Sequence, residues 1–146
     1  MGSLWPAILI RVEALDAIRT ILIGRADVVL AYAFGSVARG EERASSDIDI
    51  AVVFDHPPDA RDLDRLATAL EAAAHRRVDL VLLDTAAPLL AHEVIATGRL
   101  VLCRDEGRRV RFEAGVAARY LDSAYLRRVQ HAYLRERAEA HRATSP

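Results

Sequence analysis

Two short apolar runs, Val28 to Phe34 and Ile48 to Phe54, lie too close together in the chain for most strand arrangements. The first stops at Gly35-Ser36, and ten residues further on Asp47-Ile48-Asp49 opens the second. Both runs are rich in β-branched residues and bounded by turn formers, so they read as buried strands over Val28–Phe34 and Asp47–Phe54. A parallel crossover needs a dozen or more residues. The two strands are therefore expected to be antiparallel, with Gly35-Ser36 at the end of one meeting Asp47 at the start of the next.

A third apolar run, Val78 to Leu83, follows after a longer gap. Pro57-Pro58 breaks the chain, Asp59 is a candidate N-cap, and Leu63, Leu66, Leu70 and Ala73 recur on one helical face. Strand, helix and strand in that length make a right-handed β-α-β unit, with the second and third strands parallel. Side chains alternate along a strand. Asp47 and Asp49 thus share a face with Ala51 and Val53, opposite Ile48, Ile50 and Val52. Asp79 shares one with Val81 and Leu83. The expected result is a small mixed sheet with three carboxylates gathered at one edge.

The remaining segments read as helices and one further strand. Pro6 suits a first helical turn, and Ile8, Val12, Leu15, Ile18 and Leu22 form a stripe that ends near Gly24. Ser36 to Arg43 reads as a short helix or turn closed by Gly40 and Glu41-Glu42-Arg43. Pro88 to Thr97 is a helix closed by Gly98, and Leu100 to Cys103 a short strand. From Asp105 to about Ala140 the pattern is helical, with an apolar stripe of Phe112, Val116, Tyr120, Leu126, Val129 and Tyr133. One helix of that length spans on the order of 50 Å, so a break is expected near Asp122-Ser123, or at Gly115. The division expected is a sheet-bearing core over 1–104 and a C-terminal helical extension of the same domain over 105–146.

Composition narrows the chemistry. The 146 residues suit one domain able to bury a core. All 20 basic residues are arginine. Without lysine there is no P-loop and no lysyl intermediate, which leaves metal, backbone amides and arginine to handle phosphates. Residues 1–103 hold 10 Arg against 15 acids, whereas 104–146 hold 10 against 6; the basic tail suggests a partner-facing or anion-facing surface, or simply a solvated helix. Cys103 is the single cysteine, which fits a reducing compartment. No signal peptide or membrane span is read, so a cytoplasmic setting is expected.

Three carboxylates packed together repel one another, and a divalent cation is the simplest compensation. Mg²⁺ takes oxygen ligands, commonly one or two carboxylates plus substrate phosphates. Two such ions stabilise both oxygens of an in-line displacement at phosphorus. Gly35 allows backbone to approach a phosphate, Ser36 offers a hydroxyl at a helix start, and Arg39 lies one turn on. Blander readings exist for each feature. Gly-Ser can be a turn, Asp-x-Asp a solvated strand end, Asp79 a partner of Arg76 or Arg77, and Arg39 a surface ion pair. Asp84 reads as a turn or cap residue. His56, His75, His92, His131 and His141 lack zinc-ligand spacing, and His92 reads as packed or surface-exposed rather than functional.

The spacing of Gly35-Ser36 from Asp47-x-Asp49 resembles the signature of the DNA-polymerase-β-like nucleotidyltransferases. Several segments are similar to the MntA-type minimal nucleotidyltransferases, antitoxins of type VII systems paired with HepT toxins of the HEPN ribonuclease class. They are Phe34 to Gly40, Ser46 to Asp49, Arg77 to Val81, Pro88 to Glu93 with Gly98, Arg119 to Asp122, and Leu126 to Arg128. The resemblance implies an α/β polymerase-β-like nucleotidyltransferase fold, a small mixed sheet flanked by helices with a helical C-terminal tail. It also implies transfer of AMP from ATP to a tyrosine hydroxyl of the partner toxin, with no direct nucleic-acid substrate and no membrane. Asp47 and Asp49 would then bind both Mg²⁺ ions. Asp79 would hold the catalytic one and help deprotonate the acceptor, while Gly35 and Ser36 position the triphosphate. Two alternatives remain: nucleotidyl transfer to a small molecule such as an aminoglycoside, and an antitoxin that neutralises by binding alone.

Overall fold

The computed structural model describes residues 5–40 and 46–143, with backbone only for 5–11. Glu41-Glu42-Arg43, expected to close a short helix, lie outside the described residues, as does the Ile8 side chain. Helix α1 (Trp5–Ile23) leads into strand β1 (Val28–Phe34) and a single turn, α2 (Ser36–Arg39). Strand β2 (Ile48–Phe54), helix α3 (Ala60–Ala74) and strand β3 (Val78–Leu82) form the crossover unit. A 3-10 turn over Leu83–Thr85 precedes α4 (Pro88–Thr97), β4 (Arg99–Cys103) and α5 (Glu106–Ala143).

The sheet order is β3-β2-β1-β4. β1 is antiparallel to both β2 and β4, and β2 is parallel to β3. α3 forms because Asp59 caps it, its side chain accepting from the Asp62 N–H at 2.8 Å, and because Leu66, Leu70 and Ala74 recur on the buried face. His75, in the left-handed conformation, ends it.

A bulge in β1, where the register shifts between Val28 and Leu30, turns two neighbouring residues to one face. The sheet therefore divides cleanly. One face, with Val28, Ala31, Ile48, Ile50, Val52 and Val78, packs against Ala14, Ile18 and Leu22 of α1 and Leu66 and Leu70 of α3. The other, with Leu30, Tyr32, Ala51 and Val53, packs against Ala91 and Val94 of α4 and Val116 of α5. Val12, expected in the α1 stripe, is 53% exposed; the buried line runs through Ala14, Ile18 and Leu22 instead.

α5 runs unbroken for 38 residues, correcting the expected break at Asp122-Ser123 or Gly115. Ser123 does not end the helix because its hydroxyl bonds back to the Tyr120 carbonyl at 2.8 Å and Arg127 donates to that hydroxyl at 2.7 Å. The expected apolar stripe is also corrected. Val116 is buried and Phe112 and Tyr120 partly so, but Leu126, Val129 and Tyr133 face solvent. The inner half of α5 is tied down by polar contacts. Tyr32 donates its hydroxyl to Glu113 at 2.9 Å, and Arg109 bridges Glu113 and Glu106. Burial and that carboxylate push the Tyr32 phenol well above its ordinary pKa. Tyr120 lies between the His92 ring, stacked at 3.7 Å, and the Arg127 guanidinium at 4.6 Å, so His92 packs α4 against α5.

The C-terminus of α1 is closed from a distance. Arg104 donates to the carbonyls of Ile23 at 2.7 Å, Arg25 at 3.0 Å and Val28 at 2.7 Å, supplying donors and positive charge where a helix end has neither. Arg104→Ala is expected to lower the unfolding free energy by about 2 kcal/mol, measured by urea titration. Arg104→Lys should recover only part of this loss, because an ammonium lacks the fork that reaches several carbonyls. Equal stability of all three proteins would show that water caps the helix as well as Arg104 does.

Candidate active site

The acidic edge follows from register. Phe34 pairs with Asp49 across the antiparallel β1–β2 ladder, and Asp49 pairs with Asp79 across the parallel β2–β3 ladder. Residues opposite each other in adjacent strands project to the same side, so the two carboxylates lie on the face covered by α4 and α5. The start of β2 is tied to the start of β3 by the Ile48 N–H, which donates to the Arg77 carbonyl at 2.9 Å. Arg76, considered from sequence as a partner of Asp79, donates instead to the Ser46 carbonyl, fixing the chain just ahead of Asp47. Asp47 sits before the strand and is exposed, Asp79 is exposed, and Asp49 is half-buried.

Asp49 carries the electrostatic load of the cluster. Burial pushes its carboxyl above the ordinary carboxylate range, the charges of Asp79 and then Asp47 push it further, and Arg39 offsets part of the rise. Negative charge at this edge is therefore in excess. The donor set is all oxygen, which suits a hard cation that takes one or two carboxylates and completes its shell with water and phosphate. Among the described residues no three His, Cys, Asp or Glu side chains are drawn into a ready-made metal cluster. Asp49 and Asp79 face each other in register, with Asp47 close enough to act on Asp49 but not closed onto it.

Gly35 forms the wall of this edge. Its φ of 68° and ψ of −144° belong to a region that side chains avoid. A Cβ there would collide with the Asp49 carboxylate oxygen, closer than any real Cβ contact. Backbone and carboxylate thus touch because residue 35 is glycine. Ser36 begins α2, whose first N–H groups have no acceptor within the helix. Arg39 stands exposed at the end of that turn, and Gly40 closes it in the left-handed conformation. Gly35, Ser36, Arg39, Asp47, Asp49 and Asp79 are thus gathered at one end of the sheet. Asp84 is elsewhere, accepting from the Phe54 N–H at 3.1 Å. The sequence signal for Arg76 is its place as a cation just before the strand that pairs with β2.

The family model described as "Polymerase beta, Nucleotidyltransferase" matches residues 16–107. A protein adenylyltransferase, MntA of Shewanella oneidensis, is 39% identical over 70 residues, covering 48% of this chain and 50% of that protein. The chain spans between 50 and 67% of the length of the curated relatives it matches. A chain from a toxin–antitoxin crystal structure with AMP-PNP superposes with a TM-score of 0.73 at 26% identity, covering 82% of this chain and 98% of that one. A chain from the complex of a tri-AMPylated Shewanella oneidensis HEPN toxin with MNT antitoxin shares the fold, with a TM-score of 0.70 at 24% identity over 85% of this chain and 98% of that one. Gly-Ser, the antiparallel turn-back to Asp-x-Asp and the parallel third strand lie within the matched stretch, and the chain belongs to the polymerase-β nucleotidyltransferase family.

Proposed function

We propose that this chain is a Mg²⁺-dependent protein adenylyltransferase acting as an antitoxin in the cytoplasm, moving AMP from ATP to a tyrosine hydroxyl of a HEPN-type (HepT) RNase toxin and so silencing it. The observation that carries this reading is the pairing of Asp49 with Asp79 beside the Gly35 wall, in a chain whose relative is a protein adenylyltransferase. The residue roles are those the family resemblance implies, and the placement of these residues at one sheet end supports them. Asp47 and Asp49 would hold both ions, and Asp79, across from Asp49, would hold the catalytic one. Gly35 and the Ser36 hydroxyl would seat the triphosphate, with Arg39 reaching its oxygens through a bidentate fork. When bound, Mg²⁺ would neutralise phosphate charge and stabilise the attacking and leaving oxygens.

In the transfer itself the tyrosine oxygen bonds to the α-phosphorus, the bond to the β-phosphate oxygen breaks, and pyrophosphate leaves. Asp79, exposed and in register with Asp49, would help take the hydroxyl proton. Residues 1–104 supply this chemistry in the proposal, and 105–146 serve as an extension that meets the acceptor.

Intact-mass spectrometry of the HEPN-type protein from the same host, incubated with this chain and Mg-ATP, is expected to show one or more added AMP groups. The Asp47→Asn/Asp49→Asn protein should add none. An unmodified acceptor with the wild-type chain would sink the reading. Protection of cells by the double variant would favour neutralisation by binding, and drug-dependent pyrophosphate release without a protein acceptor would favour a small-molecule substrate.

A further inference from the structure

The outer half of α5 has no place in the core. Near its start, Arg108 donates to the Phe54 carbonyl at 3.2 Å and to Asp55, at the end of the sheet away from the acids. Five residues later Glu113 is level with Tyr32. Two strand residues, about 7 Å, then separate Tyr32 from Phe34 and its partner Asp49, and a helix covers that in about five residues. From about Tyr120 onward α5 has passed the acidic edge. The remaining residues, 121–143, extend roughly 35 Å beyond it.

This overhang is not a purely polar helix. Leu121, Tyr125 and Val129 recur at four-residue spacing and are 69%, 65% and 48% exposed, forming a row on the side opposite Val116. Arg128 lies beside this row, and Arg135 and Arg142 repeat it at seven-residue spacing further out along the helix, beyond Val129. Residues 121–143 hold five arginines against three acids. An apolar row bordered by cations is an interaction surface rather than a solvated face. Its chemistry selects the occupant. A second copy would set two net-positive arms against each other, whereas an apolar helix flanked by carboxylates satisfies both row and border.

We infer that residues 121–143 form a docking arm for an acceptor protein that presents an apolar helix flanked by carboxylates, holding its acceptor residue over the Asp49–Asp79 edge. This rests on the protein-acceptor reading above.

The test uses the full-length chain and the HEPN-type protein of the same host, with binding measured by titration calorimetry and AMP transfer followed separately. Tyr125→Glu/Val129→Glu breaks the row, and Arg128→Glu/Arg135→Glu reverses the border. All four side chains are exposed, and circular dichroism verifies the helix. Each double variant is expected to bind roughly tenfold or more weakly, and to show a raised KM for the protein acceptor with the KM for ATP unchanged. The border variant should also lose salt dependence. Variants that bind as the wild type does would overturn the docking arm, whether or not AMP moves. Binding lost in the variants, with no AMP transferred even by the wild type, would support the arm and overturn the transferase reading. Sedimentation showing a wild-type dimer that the row variant dissociates would assign the arm to a second copy and overturn the inference.

Discussion

Asp49→Asn is expected to abolish AMP transfer while making the metal-free protein more stable. Loss of a carboxylate from the proposed phosphoryl-transfer centre should reduce the rate by roughly a thousandfold or more. The stability effect has the opposite sign. The Asp49 carboxyl is raised by burial and by the charges of Asp79 and Asp47. A raised carboxyl holds its proton longer in the folded than in the unfolded state, so stability from this group falls as pH rises from the unfolded value through the folded one. At neutral pH the ionised Asp49 therefore burdens the fold, and asparagine, of the same shape, removes that burden. Without metal or nucleotide the variant should melt on the order of 2–4 °C higher at pH 7, and the gain should shrink as pH falls through the raised folded value and vanish once pH is below the unfolded one. A lower melting temperature at pH 7 would mean that favourable partners already hold the Asp49 charge. The edge would then have its charge balanced without a cation.

Gly35→Ala is expected to damage stability and activity together. The backbone at residue 35 occupies a conformation that costs a side chain about 1–3 kcal/mol. The new methyl would also meet the Asp49 carboxylate directly. Relief requires either the turn or the carboxylate to move, and both belong to the proposed site, so transfer should fall on the order of a hundredfold even where the protein stays folded. Ser36→Ala serves as the control, since it removes one hydroxyl and leaves the backbone alone. It should cost almost no stability, and its loss of transfer should appear as a raised KM for ATP. Equal behaviour of the two variants in melting and turnover would show that the Gly35 wall does not constrain Asp49.

The sheet was legible in the sequence to a degree that the outer helix was not, and the difference is physical. Strand positions report burial directly, because Ile48, Ile50 and Val52 face one core while Ala51 and Val53 face the other. The ten-residue gap was enough to set the antiparallel turn, and the longer gap the parallel crossover. The exact pairing of Asp49 with Asp79 was beyond it, since gap lengths give adjacency and not register. The contact between Gly35 and Asp49 was also hidden: a glycine after a strand says that freedom is needed, not what presses against it.

The exposure of outer α5 is not legible in the sequence, because helical periodicity is the same whether or not a stripe meets a core. Leu126, Val129 and Tyr133 keep the spacing of a packed face while standing in solvent. Ser123, read as a break, is absorbed by a local hydrogen bond that no composition rule anticipates.

Because α5 is continuous, its two halves are coupled in rotation as well as in length. Each residue added between them turns everything beyond by about 100° and carries it about 1.5 Å outward. An insertion of one residue between Tyr120 and Leu121 would swing the Leu121–Tyr125–Val129 line out of alignment, whereas seven residues would nearly restore its bearing while pushing it two turns further away. The helix thus behaves as a rigid spoke, clamped by Tyr32 and His92 at the hub, that fixes the angle as well as the distance at which anything bound to its rim faces Asp49 and Asp79.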